Sequence, residues 1–163
     1  MQKKICLLGG FAVGKTSLVS RFVHSMFSDK YLTTVGVKIE KKTVEVDNRH
    51  VDLVIWDIYG EDDFQKLRTS YLRGASGYLL VVDGTRRSTL ETAVGLQATA
   101  EQSIGRVPFI LVVNKADLTA NWELSDEQLQ HYSALGWSIL RTSAKTGDHV
   151  ENAFADLARA MLA

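Results

Sequence analysis

Gly9-Gly10-Phe11-Ala12-Val13-Gly14-Lys15-Thr16 has the spacing G-x-x-x-x-G-K-[ST] and directly follows the apolar run Ile5-Cys6-Leu7-Leu8. In that setting it reads as a loop that binds phosphate. Glycines let backbone N–H groups curl around phosphate oxygens, and the helix that begins at the loop's end aims its positive pole at the same anion. Lys15 is placed to reach β and γ phosphates, and the Thr16 hydroxyl suits magnesium, a hard cation that takes oxygen ligands. Asp57, in Trp56-Asp57-Ile58-Tyr59-Gly60, ends a strand pattern where a carboxylate holds a magnesium-bound water. Taken alone, Asp57 is equally a strand-end cap or a salt-bridge partner.

A third cluster concerns the base. Asn114-Lys115-Ala116-Asp117 follows the apolar run Phe109 to Val113. A carboxylate at Asp117 accepts two hydrogen bonds from the N1–H and 2-amino group of guanine, a pair of donors that adenine lacks. Ser143-Ala144-Lys145 adds a backbone donor suited to guanine O6. A kinase or ATPase built on the same phosphate loop explains Gly9 to Thr16 but leaves Asn114 to Asp117 without a purpose.

These residues need a scaffold that brings strand ends together. The 163 residues make one domain, residues 1–163, at roughly 150 residues per domain. Ile5 to Leu8, Tyr78 to Val82 and Phe109 to Val113 are continuous apolar runs, the mark of parallel strands covered on both faces. Val51, Leu53 and Ile55 alternate with other residues, and Val37 to Val46 carries more charge, so this pair reads as an edge hairpin turning over Asp47 to His50. The apolar positions shift there from odd (Val37, Ile39) to even (Val44, Val46), which predicts a bulge near Lys41 and Lys42. Helical stripes intervene: Leu18, Val19, Phe22 and Val23; Leu90 and Val94; Val150, Phe154, Leu157 and Met161. Ser125-Asp126-Glu127-Gln128 is a capping box ahead of a further helix and of a short strand at Trp137 to Arg141. The alternation predicts an α/β sandwich with a mainly parallel sheet and its ligand at the carboxyl ends of the strands.

Composition narrows the setting. Nineteen basic and nineteen acidic residues give a formal charge of zero, against a nucleic-acid binder or a polybasic membrane binder. The single cysteine, Cys6, lies in an apolar run and forms no internal disulfide, which suits a reducing, cytoplasmic location. No apolar run approaches the ~18 residues of a membrane span. The N-terminus has no leader pattern and the C-terminus no cysteines for a lipid anchor. His24, His50, His131 and His149 lack ligand spacing, so no zinc site is expected.

With these motifs in place the chain resembles the Ras-like small GTPases, most closely the Rab branch, along essentially its whole length. The resemblance rests on Gly9 to Thr16, Thr34-Val35-Gly36-Val37, Trp56-Asp57 with Gly60, Asn114 to Asp117, Ser143 to Lys145, and Tyr71-Leu72-Arg73-Gly74-Ala75-Ser76-Gly77. It implies a P-loop α/β fold: six strands, five parallel and one antiparallel at the edge, flanked by five helices. It implies a monomeric switch that binds GTP or GDP with Mg2+ and hydrolyses GTP. The nucleotide contacts it implies are Gly9, Phe11, Ala12, Val13, Gly14, Lys15, Thr16, Ser17, Phe27, Thr34, Gly60, Asn114, Lys115, Asp117, Ser143, Ala144 and Lys145.

By the same resemblance Thr16, Thr34 and Asp57 serve the metal, and Lys15, Thr34, Gly60 and Glu61 serve the reaction. Thr34 and Gly60 touch the γ-phosphate, so its loss relaxes residues 28–38 and 58–70, the switch segments that effectors and exchange or activating factors read. Phe27 packs over guanine in the family; a core position at the end of the first helix is the other reading. Ile39, Trp56 and Tyr71 match an exposed apolar triad for partners, with core packing the other reading for Ile39 and Trp56. Four positions depart from the family: Glu61 stands for the glutamine that orients water, Phe11 for a small residue, Tyr59 for an alanine, and Ile39 for an aromatic. A carboxylate only accepts hydrogen bonds and adds charge beside an anion, so slow hydrolysis is expected, with a binding module of negligible hydrolysis as the alternative.

Overall fold

The computed structural model describes residues 1–27, 36–58 and 68–163. Six strands run β1 (Gln2–Gly9), β2 (Val37–Val46), β3 (Arg49–Ile58), β4 (Gly77–Asp83), β5 (Phe109–Asn114) and β6 (Ser138–Arg141). They form one sheet in the order β2-β3-β1-β4-β5-β6. Every neighbouring pair is parallel except β2 with β3. Four α-helices, α1 (Lys15–His24), α2 (Ser88–Ile104), α3 (Asp126–Ala134) and α4 (Val150–Leu162), occur among the described residues, where the resemblance implied five. Between β3 and β4 the described residues hold only a 3₁₀ turn, Thr69–Leu72.

The continuous apolar runs are explained by a sheet buried on both sides. Ile5, Leu7, Leu79, Val81 and Val112 face one core with α1 and α4, whereas Cys6, Leu8, Tyr78, Leu80 and Val113 face the other with α2 and α3. On the first side the rings of Phe22 (α1) and Phe154 (α4) stack with centroids 3.9 Å apart, both 1% exposed. Each such ring contributes about 1.5–3 kcal/mol of burial and holds α1 against α4. Burial on the second side pushes the Cys6 thiol up to about 12, the behaviour of an inert buried thiol.

The bulge expected near Lys41 and Lys42 does not occur. The β2–β3 register is unbroken from Val37↔Ile58 to Val46↔Arg49. The apolar shift has another cause: both faces of β2 carry apolar side chains. Ile39 stands 49% exposed on the outer face, whereas Val44 and Val46 lie against the core of α1 and α4. Lys42 occupies an inward position between them, its Nζ donating to the Phe22 carbonyl at the end of α1 and sitting 4.3 Å over the Phe22 ring. The turn is also tighter than expected, Asp47-Asn48 alone, both at positive φ (51° and 63°), the type I′ geometry of two-residue hairpins.

The capping box forms as read: the Ser125 hydroxyl accepts from the Gln128 N–H, and the Gln128 side chain accepts from the Ser125 N–H. Because β1, β3, β4, β5 and β6 are parallel, Gly9, Asp57, Asp83, Asn114 and Arg141 all fall at one edge of the sheet. α1 and α2 leave β1 and β4 toward opposite faces, which opens a crevice between the loops that follow those two strands.

Candidate functional site

The phosphate loop leaves β1 through Gly9 and Gly10. Glycine is required at Gly9 because a β-carbon there lies 2.5 Å from the Val81 carbonyl. Ala12 (φ 61°) and Gly14 (φ 102°) then turn the chain into α1, which has no acidic residue in its first turn. α1 opens at Lys15, directly after the loop, and the first turn of a helix aims N–H groups and the positive end of its dipole at an anion.

Lys15 lies under this loop, 7% exposed, with Nζ 3.4 Å from both the Gly9 and Gly10 carbonyls. Burial pushes its pKa down to about 8, against the opposing pull of Asp57. A buried ammonium is costly to desolvate, two contacts of 3.4 Å compensate it weakly, and it gains strongly from an anion. The Thr16 hydroxyl donates to Asp57 Oδ2 at 2.6 Å, and Asp57 is fully buried at the end of β3. Hydroxyl and carboxylate oxygens thus converge beside the phosphate loop, a donor set that fits magnesium with phosphate and water as its further ligands. No cluster of three His, Cys, Asp or Glu side chains placed to hold a metal ion occurs among the described residues.

The base-reading motif is tied to the phosphate loop by Asn114. Its buried side chain donates through Nδ2 to the Val13 carbonyl (3.0 Å), while Oδ1 accepts from the Thr142 hydroxyl (3.2 Å) and the Ala144 N–H (3.3 Å). Lys115, at φ 68°, lays its Nζ on the Ala12 carbonyl at 3.0 Å. Asp117 Oδ1 accepts from the Ser143 hydroxyl at 2.7 Å, which fixes the carboxylate against the loop after β6. That loop is closed on itself by Thr146 N–H to Ser143 Oγ and Gly147 N–H to the Ser143 carbonyl. Arg21 of α1 holds it from behind, Nε donating to the Ala144 carbonyl at 2.8 Å and Nη2 to the Lys145 carbonyl.

The structure therefore brings together Gly9 to Ser17, Asp57, Asn114, Lys115, Asp117 and Ser143 to Lys145. Phe27 lies beyond the end of α1 and is 37% exposed, so the reading of it as a core residue is set aside. Phe11 is 43% exposed. Ile39 pairs across strands with Trp56, whose ring lies 6.1 Å from that of Tyr71 and beneath Lys4 Nζ at 3.6 Å. These three form a partly exposed surface cluster, and core packing is not what places Ile39. Thr34, Tyr59, Gly60 and Glu61 lie outside the described residues.

Four residues of the surroundings escaped the sequence reading: Arg21, Asp83, Arg86 and Thr142. Asp83 had a signal, since it ends the apolar run of β4 as Asp57 ends β3. Arg86 reaches across to the phosphate loop, its Nη2 donating to the Phe11 carbonyl at 2.7 Å.

The model of the Ras family matches residues 4–163. The Ras-related protein Rab-1 of Theileria parva is 34% identical over 161 residues, covering 97% of this chain and 73% of that protein. Rab-13 of Canis lupus familiaris is also 34% identical, with 98% and 79% covered. The GTP-binding protein ypt2 of Schizosaccharomyces pombe is 35% identical over 158 residues, with 96% and 79% covered.

Proposed function

The chain belongs to the Ras family, and from that premise we propose which of its residues carry out the work of a guanine-nucleotide switch. The protein binds guanine nucleotide and is a GTP-hydrolysing switch of the Rab-like kind; a non-hydrolysing binding module is not favoured. The observation that carries the assignment of residues is Asn114, whose one side chain hydrogen-bonds both the phosphate loop and the loop after β6.

In this reading residues 1–163 act as one G domain. Gly9 to Ser17 hold the phosphates, with Lys15 neutralising β and γ oxygens. Asp117 reads N1–H and the 2-amino group of guanine, and the loop Ser143 to Lys145 completes the base pocket, with Phe27 at its edge. Thr16 and Asp57 would hold Mg2+ together with Thr34, and the ion would supply positive charge to neutralise the phosphates. Thr34 and Gly60 report the γ-phosphate, and Glu61 stands where water is oriented.

Hydrolysis is slow in this account for two reasons. As a carboxylate Glu61 accepts from water and does not donate toward the transferring phosphate, and the bulk of Phe11 would hinder an arginine supplied in trans. Effectors and regulators read the switch segments and the Ile39, Trp56 and Tyr71 surface, and the protein works as a cytoplasmic monomer. The buried thiol of Cys6 suits a reducing compartment, and no helix among the described residues is long and apolar enough to cross a membrane.

The test is the base selectivity of Asp117→Asn. Xanthine presents a second carbonyl where guanine has an amino group, so an amide donor should shift preference from GTP toward XTP. An unchanged GTP over XTP ratio refutes the assignment of the base pocket.

A further inference from the structure

Behind the phosphate loop, outside every motif, lies a buried carboxylate shared by two cations. Asp83, at the end of β4, is 1% exposed. Its Oδ2 sits 2.8 Å from Lys115 Nζ and 3.0 Å from Arg86 Nε, and its Oδ1 accepts from the Thr85 N–H (2.9 Å) and hydroxyl (2.6 Å). Burial acts to raise the Asp83 pKa, but the hydrogen bonds from Lys115, Thr85 and Arg86 outweigh it and hold the carboxyl below the usual range. The anion is therefore charged and fixed in place by four donors.

Each cation passes this fixity to the loop. Lys115 Nζ donates to the Ala12 carbonyl at 3.0 Å, and Arg86 Nη2 donates to the Phe11 carbonyl at 2.7 Å. Two consecutive carbonyls are thus drawn outward from one buried anchor. In a trans peptide the carbonyl of one residue and the N–H of the next point in opposite directions. Drawing the Phe11 carbonyl toward Arg86 turns the Ala12 N–H the other way, and drawing the Ala12 carbonyl toward Lys115 does the same for the Val13 N–H. Ala12 sits at φ 61°, a conformation that a residue with a β-carbon keeps only under outside restraint.

The Lys115 arm belongs to the base motif, but the Arg86 arm belongs to nothing described so far. We propose that Arg86 is a positioning residue of the nucleotide site, which orients the Ala12 N–H toward the β-phosphate by holding the Phe11 carbonyl from the Asp83 anchor. The inference rests on the reading of Gly9 to Thr16 as the phosphate loop. Arg86 touches neither phosphate nor base in this role, and its guanidinium is suited to it because Nε and Nη2 serve two acceptors at once.

The experiment uses the full chain with magnesium and compares the affinities of GDP and GMP, which differ by the β-phosphate alone. Loss of one charge-assisted hydrogen bond in Arg86→Ala should lower GDP affinity by about tenfold and speed its release by a similar factor, with GMP affinity unchanged. Arg86 is 40% exposed in its side chain, so the variant should fold, and its thermal midpoint is measured alongside. Arg86→Lys, whose single ammonium serves one acceptor well, should fall between the two. Equal losses for GDP and GMP would mark Arg86 as merely structural and overturn the proposal, as would no change in either. A wild-type protein that binds GDP no better than GMP would instead refute the phosphate-loop reading on which the proposal stands.

Discussion

Replacing Gly14 by alanine tests how tightly the phosphate loop and the base motif are built against each other. At φ 102° an L side chain is strained, costing about 1–2 kcal/mol. The added β-carbon lies 2.3 Å from Asn114 Nδ2, well inside contact distance, and the Asn114 amide must move. Its movement releases the bonds to the Val13 carbonyl, the Thr142 hydroxyl and the Ala144 N–H, at about 1 kcal/mol each at most. Together these come to about 1–5 kcal/mol, or about 5-fold to 10⁴-fold in affinity. The cost should fall on binding, because the loop can open without disturbing the Phe22–Phe154 core, whereas phosphate demands its closed shape. Competition of fluorescent GDP against GDP reads the affinity, and circular dichroism reads the fold. Gly14→Ala that is folded and binds within threefold of the wild type would refute the coupling of the two motifs.

Three further outcomes follow from the same geometry. Lys15→Ala should lower GTP affinity by about 10 to 100-fold through loss of a charge-assisted contact, without lowering the thermal midpoint of the nucleotide-free protein, since the buried ammonium is itself a cost there; calorimetry of both quantities checks this. The Lys15 pKa, pushed down to about 8 in the free protein, must rise again when phosphate favours the ammonium, so binding takes up a proton above that pH. GDP affinity should then fall with rising pH above about 8, by up to about tenfold per unit, and Lys15→Ala should remove that slope. Phe11→Gly with Glu61→Gln should gain more activator-assisted hydrolysis than Glu61→Gln alone, measured as phosphate release in a single turnover; equal gains would clear Phe11 of blocking the approach.

What the sequence made legible was chemistry that demands residue types at fixed spacing. Gly9 to Thr16 and Asn114 to Asp117 sit at the ends of β1 and β5 as their apolar runs required, and the Ser125 and Gln128 bonds formed because a capping box is local. The β2 strand was less legible. Lys42, an inward residue whose ammonium caps the end of α1, hides the alternation, and Ile39 supplies an apolar side chain to the solvent face. Arg21 and Arg86 were invisible for a different reason. The site contacts they make are with backbone carbonyls far away in the chain, those of Ala144 and Lys145 for Arg21 and that of Phe11 for Arg86, and no residue type marks an accepting carbonyl. Asp83 was within reach, since it repeats at β4 the placement that drew attention to Asp57 at β3.

The central claim is that this chain is a guanine-selective GTPase whose turnover is slow because water positioning and arginine access are impaired. Single-turnover phosphate release from the wild-type protein loaded in turn with GTP and ATP, with magnesium and no partner, tests it most directly. Release from GTP is expected on the order of 10⁻⁴ to 10⁻² per second, with no measurable loading with ATP. Release at about 1 to 10 per second without a partner, the pace of an arginine-assisted enzyme, or equal turnover of ATP, would contradict it.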